Sequence, residues 1–121
     1  MPRAINTLLV DDERVILRLM TAILQNEGFS INTAASAEEA KRVLHDRSFE
    51  LVVTDLRMES DTAGFEVVRA AAQLHPKPAI AILTAFPVPA TVWRPMGANA
   101  LIQKGSDPAL LAEKLRKLIP S

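Results

Sequence analysis

The sequence predicts an α/β domain: a doubly wound, five-stranded parallel sheet with helices on both faces. Three observations carry that expectation. Short apolar runs alternate with amphipathic segments five times along the 121 residues. No Ser/Gly linker, low-complexity tract or internal repeat interrupts the alternation, so residues 1–121 read as one domain. The apolar runs also end in polar or charged residues, as strands do when their C-terminal ends meet a solvent-facing edge.

Ile5 to Val10 is the first apolar run, and Asp11-Asp12-Glu13 follows it directly. Ile16, Leu19, Met20, Ile23 and Leu24 then recur at helical spacing, with Gly28 as the stop. Phe29 to Ala34 reads as a second, weaker strand. Ser36 and Glu39 form a capping-box signature for a helix through about Asp46. Leu51-Val52-Val53 is a short strand ending at Thr54-Asp55, and the next helix runs from near Gly64 to Leu74, stopped by His75-Pro76. Ala79 to Leu83 and Ala100 to Gln103 complete the strands. Ser106 or Asp107 caps a last helix, with Pro108 in its first turn and Leu111, Leu115 and Leu118 on one face.

Composition removes several function classes. Lys plus Arg and Asp plus Glu both number 14, so no basic surface favours direct nucleic-acid binding. The absence of cysteine excludes a disulfide scaffold, a thiolate metal site and a thiol nucleophile. No apolar stretch approaches the roughly 20 residues of a membrane span, and the start is too quickly acidic for a signal peptide. A cytoplasmic domain with no membrane partner is the expectation. His45 and His75 share no metal-ligand spacing and are expected on the surface, and Trp93 is expected to pack.

In doubly wound sheets, ligands bind outside the C-terminal strand ends at a topological switch point. The polar residues there are Asp11, Asp12 and Glu13 after the first strand and Asp55 after the third. Thr84 ends the fourth and Lys104 follows the fifth. Three successive carboxylates beside a core strand repel one another. Carboxylate oxygens suit a hard cation such as Mg²⁺, which would relieve that repulsion. Lys104 offers a point charge for a phosphoryl oxygen and Thr84 a hydroxyl. Asp55 is then placed to act as a nucleophile forming an aspartyl phosphate. Glu13 reads as a first-turn acid favoured by the helix dipole rather than as a ligand.

These motifs, LLVDDE, LVVTDLRM around Asp55, ILTA at Thr84 and GANALIQK ending at Lys104, resemble in order and spacing a response regulator receiver domain of two-component signalling. The resemblance covers essentially the whole chain and is similar in length to the chemotaxis regulator. It implies a flavodoxin-like sheet of order 2-1-3-4-5. It also implies Mg²⁺ bound directly by Asp12, through water by Asp11, and by Asp55 and the backbone carbonyl of Arg57. Asp55 would be the phosphoacceptor, served by a sensor histidine kinase or phosphotransfer protein. Thr84 and Lys104 would contact the phosphoryl group, and small Ala85 would leave room for it. Such a domain is a switch for an output partner, not an enzyme in its own right.

The chain departs from the family pattern on its output side. Glu59 stands where Pro is usual, and Gly64 comes one residue late. Leu101 occupies the switch position that usually holds Tyr or Phe, and Gly105 replaces the proline after the lysine. The segment FPVPATVWRPMG is about two residues short and carries Pro87, Pro89 and Pro95, so a short or irregular fourth helix is expected. Arg57 and Glu59 are expected at the mouth of the pocket. Two alternatives compete: a degenerate receiver that docks a partner without phosphate, and a small Mg²⁺-dependent phosphohydrolase. The second lacks the Asp-x-Asp arrangement, because Arg57 stands two residues after Asp55.

Overall fold

The computed structural model describes residues 3–105 and 107–120. Strands and helices alternate in the expected order: β1 (Ile5–Val10), α1 (Arg14–Asn26), β2 (Phe29–Ala34), α2 (Ala37–Asp46), β3 (Leu51–Thr54), α3 (Ala63–Ala72), β4 (Ala79–Thr84), α4 (Ala90–Trp93), β5 (Ala100–Gln103) and α5 (Pro108–Arg116). All strand pairs are parallel, in the order β2-β1-β3-β4-β5. Alternation along the strands divides the interior into two cores. Leu8, Val10, Val52, Ile80 and Ile82 face the layer of α2, α3 and α4. Leu9, Val53, Ala81, Leu83 and Ile102 face α1 and α5. Burying the central strands on both faces explains why they read as continuous apolar runs.

Local chemistry sets the helix ends. Ser36 Oγ accepts from the Glu39 amide at 3.1 Å, while Glu39 Oε2 accepts from the Ala35 amide at 3.3 Å, so the capping box forms with its return bond one residue early. Asp107 caps α5 by accepting from the Ala109 amide at 2.8 Å; the alternative cap, Ser106, lies outside the described residues. Helix α3 stops at Ala72, two residues short of the expected Leu74, since the chain must leave helical geometry before Pro76. Leu19 was expected on the inner face of α1, but it is 56% exposed. Leu17 and Leu24 are the buried residues, with Ile16, Met20 and Ile23 flanking them half-buried.

Prolines hold α4 to the four residues Ala90–Trp93, between Pro89 at its N-cap and Pro95. Trp93 packs into the core, as expected, and His45 and His75 are exposed. Gly105 has φ +93°, the left-handed turn that carries the chain away from the sheet without a proline, and the Lys104–Gly105 peptide is trans.

Gly64 decides how close α3 approaches the strand ends. Its amide donates to the Leu56 carbonyl at 2.9 Å, and a Cβ there would lie 2.1 Å from the Asp55 carbonyl oxygen and 2.4 Å from Leu56 Cα. Both obstacles are backbone, so neither can rotate aside. Gly64→Ala should therefore cost at least about 1–3 kcal/mol of stability, the usual range for overpacking. Urea unfolding measures this, and an unchanged midpoint would contradict the close approach.

Candidate functional site

The backbone ladder carries the strand ends into one site. Val10 pairs with Thr54 across β1 and β3, and Thr54 with Ile82 across β3 and β4. One residue further, the Asp55 amide donates to the Val10 carbonyl and the Asp11 amide to the Ala34 carbonyl, both at 3.1 Å. The Lys104 amide donates to the Thr84 carbonyl at 2.8 Å. Three separate strand ends thus launch Asp11, Asp55 and Lys104 toward the same edge.

The Lys104 ammonium lies between the two acids, donating to Asp55 Oδ2 at 2.7 Å and Asp11 Oδ2 at 3.0 Å. Asp11 is only 3% exposed, so its charge requires partners. Its second oxygen accepts from the Glu13 amide at 3.0 Å. Asp55 Oδ1 accepts from the Leu56 amide at 2.7 Å. Burial by itself lowers the pKa of Lys104, but its hydrogen bonds to Asp55 and Asp11 and the charges of both acids outweigh it and hold the ammonium above the ordinary lysine value.

Among the described residues Asp12 has no ammonium partner, and it is exposed. Partial desolvation, then the charge of Asp11, and further the charges of Asp55 and Glu59 push its carboxyl above the usual range despite a backbone hydrogen bond. Carboxylate oxygens of Asp11, Asp12 and Glu13 come within 4.8 Å of one another. One ammonium does not neutralise Asp11, Asp12 and Asp55 together, and the oxygen donors available suit a hard divalent cation. The donor set therefore fits Mg²⁺. Glu13 is not a first-turn acid: it is the N-cap residue of α1, its side chain makes no capping bond, and the first turn contains no acid. The sharp turn that Asp11 imposes on the Glu13 amide holds it outside the helix.

Of the other expected site residues, Thr84 is buried at the end of β4, and its Oγ1 accepts from the Phe86 amide at 3.1 Å rather than joining the acids. Ala85 is exposed beside it. Leu101 is half-buried against the core under α4, three residues before the lysine. Glu59 reaches sideways: Oε2 accepts from the Ala37 amide at 2.9 Å, at the first turn of α2. That bond satisfies a helix donor and places negative charge at the positive end of the helix. The Arg57 guanidinium stacks 4.9 Å from the centroid of the Phe86 ring. Sequence reasoning passed over Phe86. The available signal was a bulky aromatic placed two residues after the strand-end threonine, where nothing in the core pattern calls for one.

The family model described as the response regulator receiver domain matches residues 7–116. The chain is 37% identical over 94 residues to the alginate biosynthesis transcriptional regulatory protein AlgB of Pseudomonas aeruginosa, covering 78% of this chain and 21% of that protein. It is 32% identical over 102 residues to the photosynthetic apparatus regulatory protein RegA of Rhodobacter capsulatus, covering 83% and 55%. The chain thus spans about half, or much less, of the length of these curated relatives. A CheY-like receiver domain protein from Methanospirillum hungatei superposes with TM-score 0.86 at 30% identity, over 95% of this chain and 94% of that one. The response regulator TrrA of Thermotoga maritima, solved in complex with Mg²⁺-BeF, gives TM-score 0.83 at 31% identity over 94% and 98%.

Two predictions follow from the charge geometry. Lys104→Met keeps most of the side-chain volume but leaves two confined carboxylates without their ammonium. It should lose roughly 1–3 kcal/mol in metal-free urea unfolding at neutral pH. Because the folded pKa of Lys104 is raised, the wild-type advantage is fully present below the ordinary lysine range and fades only in more alkaline solution, as the pH passes through the folded value. Asp12 has the opposite sign. A carboxyl whose folded pKa is raised binds more protons folded than unfolded, so its ionisation subtracts stability as the pH climbs through the carboxylate range. Asp12→Asn should therefore raise the metal-free stability at neutral pH, and with it the Tm, by less than about 1 kcal/mol of unfolding free energy because the group is exposed. The gain should disappear in acid, below the ordinary carboxylate range; a Tm that is equal or lower at neutral pH would contradict the repulsion.

Proposed function

This chain belongs to the response regulator receiver domain family, and from that premise we propose that it is a phosphoacceptor switch. It takes a phosphoryl group onto Asp55 from a phosphohistidine on a histidine kinase or phosphotransfer protein and thereby alters its contacts with an output partner. The observation that carries this reading is the Lys104 ammonium, held at 2.7 Å from Asp55 and 3.0 Å from Asp11 across three strand ends. A surface lysine gains little from such confinement; an ammonium beside a nucleophilic carboxylate is what an incoming phosphoryl dianion requires.

In the proposed transfer, one Asp55 carboxylate oxygen attacks phosphorus, the O–P bond forms, and the P–N bond to the donor imidazole breaks. The bonding pair leaves with the imidazole nitrogen. The Lys104 ammonium stays protonated throughout and compensates charge on the phosphoryl oxygens. Carboxylates of Asp12 and Asp55 and the Arg57 carbonyl would hold Mg²⁺, with Asp11 acting through water, and the cation supplies charge neutralisation at the phosphoryl group. Thr84 would present its hydroxyl, which can donate while still accepting from the Phe86 amide, and Ala85 leaves space beside it. Among the described residues no helix is long and apolar enough to cross a membrane.

Incubation with acetyl phosphate and Mg²⁺ should add one phosphoryl group to the intact mass. Asp55→Asn should abolish the addition, and chelation of Mg²⁺ should suppress it strongly. Labelling of Asp55→Asn equal to wild type would sink the assignment. No labelling of either protein would favour a receiver that docks its partner without phosphate.

A further inference from the structure

We propose that Phe86 is a positioning residue that holds the Arg57 guanidinium away from Asp55 until a phosphoryl group draws it off. The inference rests on Asp55 being the phosphoacceptor and adds a device that reports its state. Phe86 is 60% exposed and belongs to neither core cluster, so the ring is not there to fill the interior. Its two contacts instead flank the acid site. The amide donates to Thr84 Oγ1 at 3.1 Å, tying the residue to the end of β4, and the ring carries the Arg57 guanidinium at 4.9 Å. Among the described residues, that ring is the partner of the guanidinium, and no carboxylate pairs with it.

Arg57 stands two residues beyond Asp55 and is exposed, so its long side chain has room to reorient, while the Phe86 backbone is tied to the end of β4. Without phosphate, the positive charge rests on the ring face through an exposed cation–π contact. A phosphoryl dianion on Asp55 offers the same guanidinium charge-assisted, bidentate hydrogen bonds, which are stronger. The two states therefore differ in where Arg57 is bound, which is the differential affinity a ligand needs to shift an equilibrium. On phosphorylation the ring face is uncovered beside α4. The signal is thus carried by a ring on the loop after β4, while position 101 on β5 holds a leucine.

A thermodynamic cycle tests this, with beryllofluoride plus Mg²⁺ as the phosphoryl mimic and calorimetry as the readout. Both side chains are exposed, so the variants should fold, and their Tm values check it. Removing the competing ring in Phe86→Leu should tighten beryllofluoride binding roughly 2- to 5-fold, the range of an exposed cation–π contact. Phe86→Trp retains the contact on a better ring and should bind no tighter than wild type. In an Arg57→Ala background, where the backbone carbonyl remains, Phe86→Leu should change nothing. An equal effect of Phe86→Leu in both backgrounds, or tightening by Phe86→Trp, would overturn the proposal while leaving Asp55 as phosphoacceptor. Wild type that fails to bind beryllofluoride at all would remove the phosphoacceptor reading and this device with it.

Discussion

The Lys104 ammonium between Asp55 and Asp11 is the interaction on which the rest of the site depends. Parallel strands that end in register bring whatever follows them to one edge, and here β1 and β3 are both followed by acids. Without a cation between them, the buried Asp11 would face Asp55 across adjacent strands. The ammonium comes from β5, two strands beyond β3 at the far end of the sheet, so the charge balance of the centre depends on the whole sheet being assembled. Asp12 lies outside that balance. Partial desolvation, and then the negative charge that a single lysine leaves over, raise its pKa. The same excess charge that weakens the unliganded protein is what makes the site attractive to a divalent cation.

The loop after β3 is held on one side and open on the other. Toward α2 and α3 it is fastened by the Glu59 bond to the Ala37 amide and by the close approach of Gly64 to the Asp55 carbonyl. The Lys41–Glu66 ion pair, at 2.7 Å, also joins the two helices behind it. Toward β4, Leu56 is buried in the cluster that holds Ile80 and Ile82, while at the surface Arg57 makes an exposed stacking contact with Phe86. An event at Asp55 therefore has a rigid wall on the α2 side and a soft contact on the α4 side, where prolines confine the helix to four residues. An exposed contact at the edge of a fastened loop is where functional motion is expected.

Much of this was legible in the sequence. Periodicity located each strand, because strands buried on both faces need continuous apolar residues. The capping residues Ser36 and Asp107, together with the proline content of α4, set helix ends through bonds made within a few residues. The acids and the lysine at the strand ends were likewise readable, since strand ends at a switch point are a property of topology. Where local pattern misled, the reason was directional. Leu19 falls within the apolar repeat of α1, yet rotation of the helix on the sheet turns it outward and Leu17 inward. Glu13 sits where a first-turn acid belongs, but the bond its amide donates to Asp11 keeps it outside the helix.

By itself, then, the sequence determined the sheet, its class and which side chains stand at its C-terminal edge, because each depends on spacing along a single element. Tertiary structure alone decided how those side chains are partnered. That Lys104 bonds both Asp11 and Asp55, that Glu59 reaches α2 and that Arg57 rests on the Phe86 ring all depend on segments from different strands meeting in space. Hydrogen bonds and ring contacts act over a few ångströms, and the residues they join here stand 22 to 93 positions apart in the chain. No periodicity along the chain encodes that proximity.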